Sequence, residues 1–262
     1  MPPAPIAVIL AAGKGTRMAS DLPKVLHEAA GKPLVTWVLE ALAAAGIHDR
    51  IVVVGYGAEL VERALAGMPG VSFALQQQQR GTGDAVAAAA DAIQARIAHD
   101  APDGRRPVVI VCGDSPMLRA TSVTGLLAEW TARNASCLLG TAVTADPTGL
   151  GRIVRDAAGR FLRIVEQMDA SPAELAIDEV NMSTYVFDAR DLLRTLAELR
   201  PDNAAGEYYI TDCPGMLLRE GRVVDAVAFF DASETLSVNT PEQLAAVAVA
   251  LKNRTGKGRV ES

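Results

Sequence analysis

Apolar residues fall into short unbroken runs that alternate with helical spacings. Ile6-Ala7-Val8-Ile9-Leu10 and Ile51-Val52-Val53-Val54-Gly55 contain no charged or polar side chain, the pattern of strands covered on both faces. Residues 71–76 and the run Val108-Val109-Ile110-Val111-Cys112 add a third and a fourth strand. Leu34, Val35, Val38, Leu39 and Leu42 share one helical face, with Gly46 as a stop. Further helices are predicted over 58–65, 83–98 and 122–133. Strands joined by helical crossovers of this length imply a mostly parallel sheet with helices on both faces.

After residue 135 the rhythm changes. Residues 136–143, 151–155, 161–166 and 180–188 read as strands joined by turns at Asp146-Pro147-Thr148-Gly149 and Asp156-Ala157-Ala158-Gly159, which predicts an antiparallel extension of the same sheet. Two helices (189–199 and 206–220), a strand (223–230) and a last helix opening at Thr240-Pro241-Glu242 complete the order, with Thr240 as N-cap. One domain is expected over 1–252, in two halves, 1–135 and 136–239. The polar stretch from Lys252 is expected to fray into a flexible tail over 253–262.

Composition narrows the class. The 262 residues are 50% hydrophobic, with 25 Lys+Arg against 31 Asp+Glu and a formal charge of −6. Such a chain buries a full core, and its acidic balance excludes a duplex-binding protein. Aromatics are only 4%, which leaves few platforms for stacking single-stranded bases. The three cysteines include no C-x-x-C pair, and His27, His48 and His99 form no ligand spacing, so neither a disulfide framework nor a histidine zinc site is expected. Each histidine is expected on the surface or half-buried. No apolar run reaches the ~18 residues of a membrane span, and the N-terminus has no basic leader. The expected setting is a reduced cytoplasm, with small-molecule partners and neither nucleic acid nor membrane.

In open α/β sheets ligands sit beyond the carboxyl ends of the strands, and three polar loops fall there. Leu10-Ala11-Ala12-Gly13-Lys14-Gly15-Thr16-Arg17-Met18 satisfies neither the dinucleotide fingerprint nor the Walker pattern. Its glycines, Lys14, Arg17 and the nearby Lys24 nevertheless suit a polyphosphate; the alternative is an ordinary glycine turn. Gln76 and Gly81-Thr82-Gly83-Asp84 offer an amide and close backbone approach, suited to a base edge. There the alternative is a helix cap by Thr82 or Asp84. Cys112-Gly113-Asp114 ends a buried strand with a carboxylate placed to hold Mg²⁺ against phosphate oxygens, or else to make a turn before Pro116.

These residues carry a resemblance. L-A-A-G-K-G-T-R-M with Pro23-Lys24 resembles the signature of sugar-1-phosphate nucleotidylyltransferases. The fuller set is similar to the uridylyltransferase domain of bifunctional N-acetylglucosamine-1-phosphate uridylyltransferases. It comprises Asp21-Leu22-Pro23-Lys24-Val25-Leu26-His27, Gln76, Gly81-Thr82-Gly83, Gly113-Asp114, Asp146 to Ile153, Glu166, Asp169-Ala170, Gly206-Glu207-Tyr208-Tyr209-Ile210-Thr211-Asp212 and Val238-Asn239. The motifs run in family order from residue 6 to about 250.

The resemblance implies a Rossmann-like nucleotidyltransferase α/β fold, with a nucleotide-binding half over 1–135 and an antiparallel sugar-binding extension over 136–239. Leu10, Ala11, Ala12 and Gly13 would line the nucleotide. Arg17 and Lys24 would be catalytic, neutralising the triphosphate. Gln76, Gly81 and Thr82 would read the base, and Cys112 and Gly113 would border the nucleotide. Asp114 and Asn239 would ligate Mg²⁺. Gly151, Glu166 and Asn181 would hold the sugar. The implied reaction transfers a nucleotidyl group from an NTP, UTP first, to a sugar-1-phosphate, N-acetylglucosamine-1-phosphate first, releasing pyrophosphate. Its alternatives are another sugar-1-phosphate or NTP, or a non-catalytic NTP-binding paralogue.

The chain departs from the family pattern at three places. Cys112 replaces an aromatic residue, Met168 replaces a lysine, and Asn181-Met182-Ser183 replaces Asn-Thr-Gly. The nucleotide half keeps its motifs and the acceptor half is altered. The hexapeptide β-helix that follows this domain in the bifunctional enzymes has no counterpart in the 262 residues, so acetyl transfer and its trimer are not expected.

Overall fold

The unbroken apolar runs occupy the middle of one large sheet in the computed structural model, which describes residues 3–98, 100, 105–228 and 230–257. The first half contains β1 (Ile6–Ala11), β2 (Glu28–Ala29), β3 (Lys32–Pro33), α1 (Leu34–Ala44), β4 (Asp49–Val54), α2 (Ala58–Ala64), β5 (Val71–Leu75), α3 (Thr82–Ala87), α4 (Ala90–Ile97), β6 (Pro107–Cys112) and α5 (Ala120–Ala132). The second contains β7 (Cys137–Val143), β8 (Arg152–Arg155), β9 (Phe161–Val165), α6 (Pro172–Leu175), β10 (Glu179–Asp188), α7 (Ala189–Glu198), α8 (Asp212–Arg219), β11 (Val224–Ala228) and α9 (Pro241–Lys257).

Strand order is β11-β7-β10-β6-β1-β4-β5, with the β8–β9 hairpin attached to β10. β6, β1, β4 and β5 pair in parallel, and β10 runs antiparallel between β6 and β7. The predicted α/β fold is therefore present, as a mixed, mostly parallel sheet with an antiparallel extension. Alternate residues of each run feed opposite faces: Ile6, Val8, Ile51, Val53 and Ile110 enter one core cluster. Ala7, Ile9, Val52, Val54 and Val109 enter the other. This two-sided burial explains why those strands show no polar alternation.

Several boundaries differ from the sequence reading, each for a physical reason. The helix predicted over 83–98 is two helices. At Ala89 the turn tightens, its N–H reaching the Val86 carbonyl at 3.0 Å while Ala89 itself is buried. An alanine run contains no side chain that marks such a break. The helix predicted over 206–220 starts at Asp212, because the backbone before it is engaged elsewhere. Tyr208 N–H donates to the Arg80 carbonyl (2.8 Å), and the Tyr208 carbonyl accepts from Gly83 (2.7 Å).

The expected fraying from Lys252 is also corrected: α9 continues to Lys257. Leu251 packs with Met18, Leu34, Trp37, Met117, Val238 and Val247, and Arg254 donates to the Met117 carbonyl at 2.9 Å. Residues 258–262, His99 and Phe229, the latter within the strand predicted over 223–230, lie outside the described residues. His27 is half-buried and His48 exposed. Thr240 caps α9 as predicted, accepting from Gln243 N–H at 3.3 Å. Among the described residues no helix is long and apolar enough to cross a membrane.

Candidate active site

Parallel pairing of β6, β1, β4 and β5 carries their carboxyl ends, and the three polar loops, to one edge. After Ala12 the chain turns through Gly13, above which a side chain would meet nothing within 4 Å. Gly15 adopts φ +70°, and a Cβ there would lie 2.6 Å from the Lys24 Cβ, so only glycine lets the lysine stem cross the loop. Lys14 lies over the Tyr56 ring at 5.0 Å. Arg17 is exposed and forms no hydrogen bond or ion pair with the described residues. The buried Met18 anchors the loop next to it.

Lys24 is the centre of the site. Its ammonium forms an ion pair with Asp114 Oδ2 and donates to Asn239 Oδ1 at 3.0 Å. Two anchors bring these oxygens together. Gly113 N–H bonds the Leu10 carbonyl (2.9 Å), fixing the end of β6, and Val238 N–H bonds the Asp114 carbonyl (3.2 Å). Upstream of Asn239, the buried Glu234 accepts from Ser122 Oγ (2.7 Å) and from Arg119 N–H (2.8 Å). That anchors the segment leading to Asn239.

At the second loop Gln76 is buried, and its Nε2 donates to the Gly81 carbonyl (3.2 Å) and to Asp84 Oδ2 (2.8 Å). The cap alternative for Thr82 and Asp84 is not realised: Gly81 is the N-cap of α3, without a side-chain bond. Thr82 Oγ1 instead accepts from Ile210 N–H at 3.1 Å. Gly81 has φ +111°, and a Cβ there would sit 2.5 Å from the Tyr208 carbonyl.

The acceptor candidates also meet. Asn181 N–H donates to the Gly151 carbonyl at 2.8 Å, and a Cβ on Gly151 would lie 3.5 Å from Glu166 Oε2 and 3.6 Å from Asn181 Cβ. Burial raises the Glu166 carboxyl above its ordinary pKa; a hydrogen bond from Thr211 Oγ1 (3.0 Å) opposes the rise, and Asp169 and Asp212 reinforce it. A cavity of about 540 Å³ is lined by Glu166, Asp169, Tyr209, Thr211, Asp212 and Arg219, among others. A smaller one, about 170 Å³, touches Cys112, Asp114, Gly149, Asn181, Ser183 and Asn239. It runs from the Asp114 and Asn239 partners of Lys24 to Asn181.

Two of the departures from the family pattern lie face to face. Ser183 sits in the β10 bulge between Asn181 and Tyr185, with φ +49°, a region that favours glycine. Burial, aided by Asp114, pushes the Cys112 thiol up to about 12, and Ser183 is among the neighbours that oppose the rise. Met168 is 76% exposed and lines neither cavity.

Comparison with known proteins identifies the frame. The model of the MobA-like NTP transferase domain matches residues 7–209. The chain belongs to that family. It is 43% identical over 251 residues to the bifunctional protein GlmU of Pelobacter propionicus, covering 96% of this chain and 53% of the relative. It is 43% identical over 256 residues to the bifunctional protein GlmU of Brevibacillus brevis, covering 98% and 53%. The chain thus spans about half the length of the curated relatives it matches. A solved UDP-glucose pyrophosphorylase complexed with UDP-glucose superimposes with TM-score 0.75 at 17% identity, over 96% of this chain and 100% of that one, a likeness of fold. As an NTP transferase the chain is an enzyme of the nucleotidyltransferase type, as the motifs implied.

Within this NTP transferase the candidates form two groups. Leu10 to Gly13, Arg17, Lys24, Gln76, Gly81, Thr82 and Cys112 to Asp114 lie at the carboxyl ends of the parallel strands and in the segments that follow them, and Gly151, Glu166 and Asn181 lie on the extension. Four partners escaped the sequence reading. Gln79 Nε2 reaches the Ala12 carbonyl at 3.0 Å, Asp84 holds Gln76, Thr211 holds Glu166, and the Tyr208 backbone clamps Gly83. Thr211 and Tyr208 stand in the quoted G-E-Y-Y-I-T-D motif, which was the available signal. Asp114 and Asn239 offer one carboxylate and one amide oxygen, both converging on a cation, the Lys24 ammonium. Such hard oxygen donors fit Mg²⁺, which keeps most of its octahedron for phosphate and water. Among the described residues no group of three His, Cys, Asp or Glu side chains is placed to hold a metal.

Proposed function

We propose that this NTP transferase catalyses Mg²⁺-dependent uridylyl transfer from UTP to N-acetylglucosamine-1-phosphate, yielding a UDP-sugar and pyrophosphate. The observation that carries the reading is the convergence of Lys24, Asp114 and Asn239 at a cavity that reaches Asn181. A cation centre between a triphosphate loop and a polar acceptor pocket is what phosphoryl transfer between two anions requires. The similarity to the bifunctional GlmU proteins over nearly the whole chain favours the uridylyl group and the N-acetylated acceptor.

In this reading Leu10 to Gly13 pass along the nucleotide, Gly13 leaving open space for it. Gln76, Gly81 and Thr82 face the base, and Cys112 and Gly113 border the nucleotide. Lys24 and the unpaired Arg17 neutralise the triphosphate and the charge that develops at the α-phosphorus. Gly151, Glu166 and Asn181 orient the sugar hydroxyls so that a phosphate oxygen lies in line with the bond to pyrophosphate. That oxygen attacks the α-phosphorus, and the bond to the β-phosphate breaks. The nucleophile arrives ionised, so no side chain has to remove a proton, and catalysis is positioning and charge neutralisation. Asp114 and Asn239 would hold Mg²⁺, which would add to the neutralisation of the phosphates when bound.

Purified protein with Mg²⁺, four NTPs and a panel of sugar-1-phosphates is expected to release pyrophosphate fastest with UTP and N-acetylglucosamine-1-phosphate. A different best pair would keep the chemistry and replace the substrates. Measurable NTP binding with no turnover on any pair would establish the non-catalytic alternative.

A further inference from the structure

Gln76 has an amide that the fold allows in one orientation only. Its two N–H bonds are both taken, by the Gly81 carbonyl at 3.2 Å and by Asp84 Oδ2 at 2.8 Å. A peptide carbonyl and a carboxylate can only accept. Flipping the amide would set its oxygen against two other acceptors inside a pocket where Gln76 is 6% exposed, a costly arrangement in a low dielectric. The orientation is thus chemically enforced rather than one of two equivalent choices.

Asp84 is itself held. Arg80 donates to Oδ1 through Nε (3.1 Å) and Nη2 (2.7 Å), leaving Oδ2 for Gln76. Arg80 lies over the Tyr208 ring at 5.4 Å, and the Tyr208 backbone bonds to both Arg80 and Gly83. The carboxylate is therefore braced by two segments and cannot follow Gln76 if the amide turns.

With both donors used, Gln76 retains only acceptor capacity, at Oε1. An acceptor recognises an N–H. Uracil and thymine carry a hydrogen at N3; cytosine has a lone pair there. We propose that Asp84 is a specificity-determining positioning residue, which turns Gln76 so that the site selects pyrimidine triphosphates bearing an N3–H and rejects cytosine. The proposal rests on the reading in which Gln76 faces the base. Asp84 acts through Gln76 and need not touch the nucleotide.

The test is calorimetric titration of the full chain with nucleotide and Mg²⁺, without acceptor. Wild type is expected to bind UTP at least about tenfold more tightly than CTP, since the wrong base leaves a buried acceptor unpaired. The analogue 3-deazauridine triphosphate, which replaces N3–H by C–H, should bind about as weakly as CTP. In Asp84→Asn the side-chain amide can donate or accept, so Gln76 can turn; the UTP/CTP ratio should fall several-fold toward one, and Asp84→Glu should restore it. Equal binding of UTP and 3-deazauridine triphosphate by wild type would overturn the proposal without any variant. So would an Asp84→Asn protein that loses affinity for both nucleotides equally, the mark of a merely structural role. Failure of the two readings is distinguishable: turnover without base discrimination removes this proposal alone, and discrimination without turnover removes uridylyl transfer alone.

Discussion

At the scale of single residues, the site is built from groups whose ordinary preferences are overridden. Glu166 is the clearest case. Burial, and the neighbouring Asp169 and Asp212, favour its protonated form in the folded chain. Its folded pKa therefore lies above its unfolded one, and the stability linked to it is complete below the unfolded value. It is lost as pH rises through the folded value. Glu166→Gln removes a charge that opposes folding at neutral pH, and its amide can still accept from Thr211. The variant is expected to melt about 2 °C or more above wild type at pH 7.5, with the gap closing near pH 4, while its KM for the acceptor rises. A gap that is constant with pH would contradict the electrostatic account of this site. Burial at a residue proposed to bind the sugar thus trades stability for function.

At the scale of elements, the long-range pieces are those the sequence reading placed least well. Strands β1, β4 and β6 were legible because each is buried on both faces and needs no partner to betray it. Helix α1 was legible from a single apolar face with Gly46 behind it. The loop before α8 was not, because it depends on bonds to distant backbone, Tyr208 to Arg80 and Gly83, and the break between α3 and α4 was not, because the tightening at Ala89 falls in an alanine run with no side chain to mark it. The end of α9 was misjudged because its last turns look polar in isolation, whereas Leu251 and Arg254 dock on Met117 and Trp37. Leu251→Ala is expected to cost about 3 kcal/mol by the loss of a fully buried side chain, read from urea unfolding. A loss below about 0.5 kcal/mol would show that the helix is not anchored there.

At the scale of the whole molecule, the proposed function asks a chain of net charge −6 to meet two anionic substrates, and the field of the protein as a whole does not help it. The sequence motifs placed the candidate groups on loops at one sheet edge, and the fold brings those loops together there. Their grouping was legible because the parallel topology follows from the pattern of runs, and Asp114 stands at the end of one run. Contacts across the fold were not legible. Nothing in Asn239 or Lys24 alone indicates that they meet, 215 residues apart, at the carboxylate of a third loop. The Asp84 clamp was hidden for a related reason: an aspartate at the start of a helix reads first as a cap.

The central claim is that this meeting point is the metal and phosphate centre of a uridylyl transfer. Pyrophosphate release from UTP and N-acetylglucosamine-1-phosphate, measured with saturating Mg²⁺ for wild type and Asp114→Ala side by side, tests it most directly. Wild type is expected to turn over and Asp114→Ala to lose at least about 100-fold in kcat, with its melting temperature little changed. A folded Asp114→Ala protein with near-normal turnover would contradict the assignment.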